Sequence, residues 1–87
     1  AERKKGAELE RVTMNRQRAT VSTNTGNALL EKGQIADALE HFQEALSDDP
    51  GYAEAHRGMA NALERQGKKA EAEAERRKAD ELEKPQP

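Results

Sequence analysis

The side chains able to carry catalysis or to hold a metal are few, and their spacing matches no arrangement that does either. His41 and His56 are the only histidines, and no His-x-x-x-His or Glu-x-x-His spacing on one helix joins either of them to a plausible metal triad. Asp48 and Asp49 lack the alternating acidic loop of a calcium site and are predicted to be turn residues. Neither of the two serines has the flanking glycines of a nucleophile elbow, and no phosphate-binding loop is present. We therefore expect a non-enzymatic protein without a catalytic, metal or cofactor site.

Two asparagines are the polar side chains that recur in register. Asn27 opens NALLEKGQIADA, and Asn61 opens NALERQGKKAEA thirty-four residues later. An asparagine amide both donates and accepts hydrogen bonds, so it can hold a peptide backbone whatever the side chains of that peptide. The same shift superposes five pairs of alanines and two further pairs: Leu29 on Leu63 and Gly33 on Gly67. A fixed period of this size is typical of a repeat architecture, so the function is expected on a repeat surface.

Glycine and proline divide the two copies into helices. Gly33 and Gly67 are predicted to end the first helix of each copy in the left-handed conformation. Pro50 and Gly51 prevent a helix from continuing between the copies. The spacing predicts four helices, over about residues 20–32 and then from about Ile35, Ala53 and Lys69. The closing KPQP is expected to end the last helix and the chain.

Residues 1–18 are predicted to form a separate N-terminal helix, because they lack proline and consist mostly of good helix formers. Leu9, Val12 and Ala19 make a narrow apolar side that needs a partner. Residues 20–25, TVSTNT, would by local propensity form a loop or a strand. Their counterpart in the second copy, EAHRGM, leads directly into NALERQ, so the repeat predicts a helix here instead.

The composition indicates a soluble, largely helical protein of one domain. Only 33% of the 87 residues are hydrophobic, with one Phe and one Tyr, whereas 37% are charged and the net charge is −2. The sequence has no apolar run of the roughly 20 residues that a membrane helix needs, and no signal-peptide pattern. The absence of cysteine excludes disulfides and thiolate metal sites, but it leaves the compartment open, with the cytoplasm slightly favoured.

The charge is distributed unevenly along the chain. Residues 1–18 carry six basic and three acidic groups, residues 19–52 carry one and six, and residues 53–87 carry eight of each. A basic segment therefore precedes an acidic first copy, and the two are expected to attract each other. Because two short, alanine-rich repeats bury little core, we expect a homodimer in which this segment covers the first copy of its own chain or of the other.

The thirty-four-residue helix-turn-helix unit resembles the tetratricopeptide repeat (TPR). The first copy agrees with the pattern of that family at its glycine, alanines, phenylalanine and proline: Gly26, Ala38, Ala45, Phe42 and Pro50. Ser22 and Thr25 replace its usual large aromatic residue and leucine. The second copy departs from the pattern at Arg76 and Lys84, which stand where phenylalanine and proline are usual. The resemblance covers residues 19–84.

The resemblance implies an all-α fold, a right-handed helical solenoid of two TPR repeats preceded by an N-terminal helix. It divides the chain into an N-terminal basic helix (1–18), the first repeat (19–52), the second repeat with its C-terminal capping helix (53–84) and a tail (85–87). The first helices of TPR repeats line a concave groove that binds a peptide or a partner helix. By this resemblance the groove residues are Thr23, Asn24, Asn27, Glu31, Arg57, Asn61 and Arg65.

Within this groove set, Arg57 could pair with a carboxylate of the ligand. Some TPR domains capture a C-terminal carboxylate with a lysine one turn before such an asparagine, but Thr23 stands there in this chain, so that activity is not expected. The asparagines could instead only face water or help the helices to pack.

Three functions remain open at this point. The first is a protein-interaction module that binds a partner in the groove. The second is a self-assembly element or a fragment of a larger repeat protein. The third is nucleic-acid binding through residues 3–18, although no aromatic platform accompanies the basic clusters, and the interleaved glutamates of the later clusters argue against phosphate binding.

Overall fold

Four helices and no strand make up the part of the chain that is described, in agreement with the all-α expectation. The computed structural model describes the backbone of residues 2–85 and the side chains of residues 13–85. The helices are α1 (Glu2–Glu31), α2 (Ile35–Asp48), α3 (Ala53–Arg65) and α4 (Lys69–Glu83). Each helix packs against the next one in the chain, and α1 also contacts α3.

The turn that closes each repeat is built in the same way in both copies. Gly33 and Gly67 have positive φ values of 80° and 82°. In the first turn the N–H of Gly33 donates to Leu30 O at 3.0 Å and that of Gln34 to Leu29 O at 2.9 Å. The second turn repeats both bonds thirty-four residues later, at 2.9 Å each. This pair of bonds is the Schellman motif, which requires a left-handed residue and explains the two glycines.

The N-terminal segment differs from the expectation, because it is not a separate helix. A single helix, α1, runs without a break through residues 18 and 19. No proline lies there to stop it, and Thr20 and Thr25 fit the helix because their hydroxyls donate to the carbonyls of Arg16 and Val21 at 2.9 and 3.0 Å. The division of the chain at residue 19 thus remains a prediction from the repeat. The side chains of Leu9 and Val12, and residues 86–87 of the tail, lie outside the described part.

Phe42 is the centre of the core. Its side chain is fully buried and packs on α1 and α3 at two glycines. A Cβ atom added to Gly26 would lie 2.6 Å from the Phe42 ring, and one added to Gly58 would lie closer still. The ring therefore occupies the space that two side chains would need. The rest of the core is mostly alanine, so the helices approach each other closely.

The outer surface of the second repeat is polar, as expected for a terminal repeat. Arg76 stands at the register of Phe42, and its guanidinium pairs with Glu64 of α3 instead of entering a core. Ala72 and Ala79 are buried, whereas Leu82 remains 47% exposed. The apolar stripe of α4 thus consists of small residues, and charged side chains surround it.

Replacing Phe42 by alanine should lower the free energy of unfolding by about 3 to 5 kcal/mol, because it leaves a cavity where three helices meet. Chemical denaturation followed by circular dichroism measures the loss. The matched control is Leu82→Ala, which truncates an exposed side chain and should cost about 0.5 kcal/mol or less. Equal costs for the two variants would contradict the central position of Phe42.

Candidate functional site

A groove lies where the first helices of the two repeats run side by side. It contains a pocket of about 630 Å³ between the C-terminal halves of α1 and α3. The lining residues come in three pairs at the same register: Asn27 and Asn61, Leu30 and Glu64, Glu31 and Arg65. Residues three and four positions apart share one face of a helix, so each helix contributes one such face to the pocket.

Arg65 fixes one wall of the groove. Its Nη1 atom donates to Leu30 O at 2.5 Å, so the guanidinium sits on the last turn of α1. Carbonyls at the end of a helix lack partners within it, and a cation there also interacts favourably with the helix dipole. Arg65 therefore joins α3 to α1.

Glu64 is also held by the protein. Its carboxylate accepts a hydrogen bond from Arg76 of α4, and this bond, followed by the charge of Arg76, lowers the pKa of Glu64. At neutral pH its negative charge is balanced within the second repeat.

The polar groups of the groove without protein partners are the amides of Asn27 and Asn61 and the carboxylate of Glu31. All three residues are exposed, and their side chains make no hydrogen bond or ion pair with any other residue in the described part of the chain. The groove can thus offer two amides and one free negative charge to a ligand.

Comparison with known proteins identifies the architecture. The family model described as TPR repeat matches residues 26–67, which include the first closing turn, all of α2 and α3, and Asn27 and Asn61. The matched segment, residues 26–67, belongs to the tetratricopeptide repeat family. Repeats of this family generally mediate protein–protein interactions. The comparison with curated proteins found no match.

A solved structure of a MamA mutant has the same arrangement of helices. It superposes with a TM-score of 0.72 at 31% sequence identity, over 77% of this chain and 49% of that one. This chain therefore spans about half the length of that TPR structure.

Of the seven groove residues expected from the TPR resemblance, the structure brings four together in the pocket: Asn27, Glu31, Asn61 and Arg65. Asn24 is exposed but does not line it. The prediction that Thr23 lines the groove is wrong. Its side chain is fully buried, and its hydroxyl has no partner among the described residues, so it cannot face a ligand.

The prediction that Arg57 binds a carboxylate of the ligand is also wrong, because Arg57 is already paired within the protein. Its guanidinium donates to both carboxylate oxygens of Glu83, at 2.8 and 3.0 Å, and to Asp80 at 3.3 Å. The hydrogen bond to Glu83 is the first cause of its raised pKa, followed by the charge of Glu83. A ligand carboxylate would have to displace these partners, so the predicted capture of a carboxylate by Arg57 does not fit this geometry.

Sequence reasoning missed Leu30 and Glu64 as lining residues. Both follow a recurring asparagine by three positions and lie thirty-four residues apart. The register and the i, i+3 rule together could have found them.

His56 does not line the groove. His56 connects α4 to the turn between the two repeats, with Nδ1 2.7 Å from Glu75 and Nε2 3.1 Å from Pro50 O. Within residues 13–85, no group of three His, Asp or Glu side chains could hold a metal ion. None of the described helices combines the length and the apolar character needed to cross a bilayer.

Replacing Arg65 by methionine should reduce the free energy of unfolding by about 1 kcal/mol, because the carbonyl of Leu30 loses its charged donor. Arg77→Met is the control, since Arg77 is exposed and lies 3.9 Å from Glu73 on its own helix, and it should cost about 0.5 kcal/mol or less. Chemical denaturation of both variants makes the comparison, and a larger loss for Arg77→Met would contradict the role of Arg65.

The Arg57–Glu83 pair predicts a pH dependence of stability. The hydrogen bond from Arg57 is the main cause that lowers the pKa of Glu83. The stabilisation is thus fully present above the unfolded pKa of a glutamate, about 4.3, and is lost as the pH falls through the folded pKa. Glu83→Gln should be less stable than the unmodified chain at neutral pH, and the difference should vanish in stronger acid. Thermal unfolding at both pH values tests this, and a constant difference would contradict it.

Proposed function

We propose that this chain is a non-enzymatic protein-interaction module that binds an extended peptide or a partner helix in the groove between α1 and α3. The observation that carries the proposal is the pair of free amides, Asn27 and Asn61, at the same register of adjacent helices and in one pocket. Each amide can donate to a carbonyl and accept from an N–H of the same peptide unit or of neighbouring ones. Two such contacts would hold a backbone across both repeats.

The charges of the groove favour a basic side chain in the ligand. Glu64 is balanced by Arg76, and Arg65 is occupied by the carbonyl of Leu30. Arg65 keeps its positive charge, since a carbonyl is a neutral acceptor, but its guanidinium is held at the end of α1. Glu31 is the carboxylate of the pocket without a protein partner and lies on the same helix face as Asn27. A lysine or arginine of the ligand next to Asn27 would therefore find a carboxylate.

The groove is not suited to the capture of a C-terminal carboxylate. The position one turn before Asn27 holds Thr23, which is buried, and the position one turn before Asn61 holds Arg57, which is paired. Neither offers a free cation.

The test begins with peptides selected from a display library of random dodecapeptides on the immobilised chain, whose affinities are then measured by calorimetry. The Asn27→Ala, Asn61→Ala double variant should bind the selected peptides about tenfold more weakly, because two hydrogen bonds of about 0.5 to 1.5 kcal/mol each are lost. Asn24→Ala is the control, since Asn24 is exposed on α1 outside the pocket, and it should bind as the unmodified chain does.

A second arm tests the charge preference. Glu31→Gln should weaken the binding of basic peptides, and the effect should shrink at high salt, because a free surface charge is screened. Unchanged affinity of the double asparagine variant, with its helical spectrum intact, would place the binding surface elsewhere.

Self-association is the second candidate function. The observation that favours it is an exposed apolar line on α1, away from the groove, that carries Met14 and Val21.

A further inference from the structure

The internal repeat shows which surface of a repeat its neighbour covers. On α3, Ala55 and Ala62 are fully buried, Ala55 in a cluster with Ala19 and Ala45, and Ala62 in the cluster of Phe42. The equivalent positions on α1, thirty-four residues earlier, are Val21 and Ala28, and both are exposed. The face of α1 that a preceding unit would cover is thus open in this chain.

Apolar residues recur on this open face every seven positions, at Met14, Val21 and Ala28. The face consists of residues spaced by four, three, four and three, which we call the α1 seam: Met14, Arg18, Val21, Thr25 and Ala28. Such spacing places residues along one line of a helix that packs against another helix. Met14 is 53% and Val21 65% exposed, and they are two of the three large hydrophobic side chains exposed among residues 13–85.

A pocket beside the α1 seam could receive a side chain of a helix that packs on the seam. It has a volume of about 370 Å³ and lies between α1, at Met14, Arg18 and Val21, and the acidic side chains of α2. Those acidic side chains are Glu44 and Asp48, so one basic and two acidic residues line the pocket. In the second repeat Leu82 takes the position of Asp48, and it lies 3.8 Å from where a Cβ of Gly51 would be. The corresponding space is therefore partly filled there, and in the first repeat it is free to accept an apolar side chain beside two carboxylates.

The N-terminal half of α1 cannot occupy this place in its own chain. By the repeat register, residues 1–14 correspond to α2, but residues 2–14 are part of α1 instead of folding back. Its 30 residues make a rod about 45 Å long, whereas α2 is about 21 Å long at 1.5 Å per residue. The C-terminal end of the basic segment does contact the first repeat of its own chain, since Arg16 Nε lies 3.4 Å from Asp49 Oδ2. The rest of the basic half extends past α2, and contact with another chain is the arrangement left for it.

We propose that the α1 seam is the interface of a homodimer in which the two α1 helices pack antiparallel. This arrangement places residues 1–18 of each copy, with their excess of three positive charges, along the first repeat of the other copy, which has an excess of five negative charges. A parallel arrangement would instead bring the two basic halves together. The carboxylates of Glu44 and Asp48 beside the pocket would face the basic half of the other copy.

The opposite end of the molecule does not offer the same kind of contact. In the first repeat the side chains that pack on the second are Leu39, Phe42 and Leu46. Their equivalents at the C-terminal end are Glu73, Arg76 and Asp80. Head-to-tail stacking by the internal contact would bury these charges without suitable partners, so the association should stop at two copies.

Sedimentation equilibrium of the full chain tests the proposal. The unmodified chain should approach twice its mass of 9.6 kDa as the concentration rises. The Met14→Glu, Val21→Glu variant should dimerise at least about tenfold more weakly, since two apolar contacts are lost, while circular dichroism shows the helices intact. Leu82→Glu is the control, because it charges the third exposed hydrophobic side chain outside the seam, and it should dimerise normally.

Disulfide trapping tests the orientation, since the chain has no cysteine of its own. When Met14→Cys and Ala28→Cys chains are mixed and oxidised, antiparallel packing of the two seams should give mainly the mixed disulfide, because Met14 and Ala28 lie at opposite ends of the seam. A preference for disulfides between identical chains would show parallel packing and overturn the proposal. A monomer at all concentrations, growth beyond two copies, or a seam variant that dimerises like the unmodified chain would also overturn it.

The groove and the seam lie on different faces of α1, so the two proposals can fail separately. Asn27→Ala and Asn61→Ala should leave the dimer unchanged, and the seam variant should still bind groove peptides.

Discussion

The contact of the Phe42 ring with Gly26 and Gly58 is the interaction on which the rest of the structure depends. A chain with a single phenylalanine and many alanines has few ways to bury a large apolar surface, and here one ring is shared by α1, α2 and α3. The glycines are needed because the ring lies directly on the helix backbones. This contact sets how closely α1 and α3 approach, and with it the width of the groove that carries Asn27 and Asn61.

Two ion pairs and one hydrogen bond made by arginines of the second repeat decide which polar groups remain for a ligand. Arg57, Arg65 and Arg76 each have a partner within the protein, and two of these partners lie on α4 or at the end of α1. The pairs are solvent-exposed or partly so, and each contributes little to stability. Their larger effect is on recognition, because they hold the guanidiniums of these arginines on the protein and leave the amides and Glu31 without protein partners.

The thirty-four-residue register predicted most of the fold. It located the turns at Gly33 and Gly67 and the starts of α2, α3 and α4 at the residues where the structure has them, because glycine and proline act on the local backbone. It could not predict where α1 begins, since the first copy has no earlier copy to be compared with. No residue near position 18 stops a helix, and α1 therefore extends back to Glu2.

The site was predicted less completely, because a repeat register treats the two copies as equivalent and their surroundings differ. Thr23 and Arg57 have the same register, yet Thr23 lies seven residues before Leu30, on the face of α1 that packs toward Ala62 of α3. The second repeat has no described repeat after it, so Arg57 turns to the carboxylates of α4. The burial of a residue between two repeats thus depends on which helices pack beside each copy. An alignment of the two copies does not show this.

The order of the helices has a consequence for how quickly the chain folds. Apart from the contact of α1 with α3, every helix packs against a neighbour in the sequence, through connections of only a few residues. Short loops cost little entropy to close, and chains dominated by such local contacts fold in about microseconds to milliseconds. The newly made chain would therefore expose Phe42 and its alanine surroundings to other molecules only briefly.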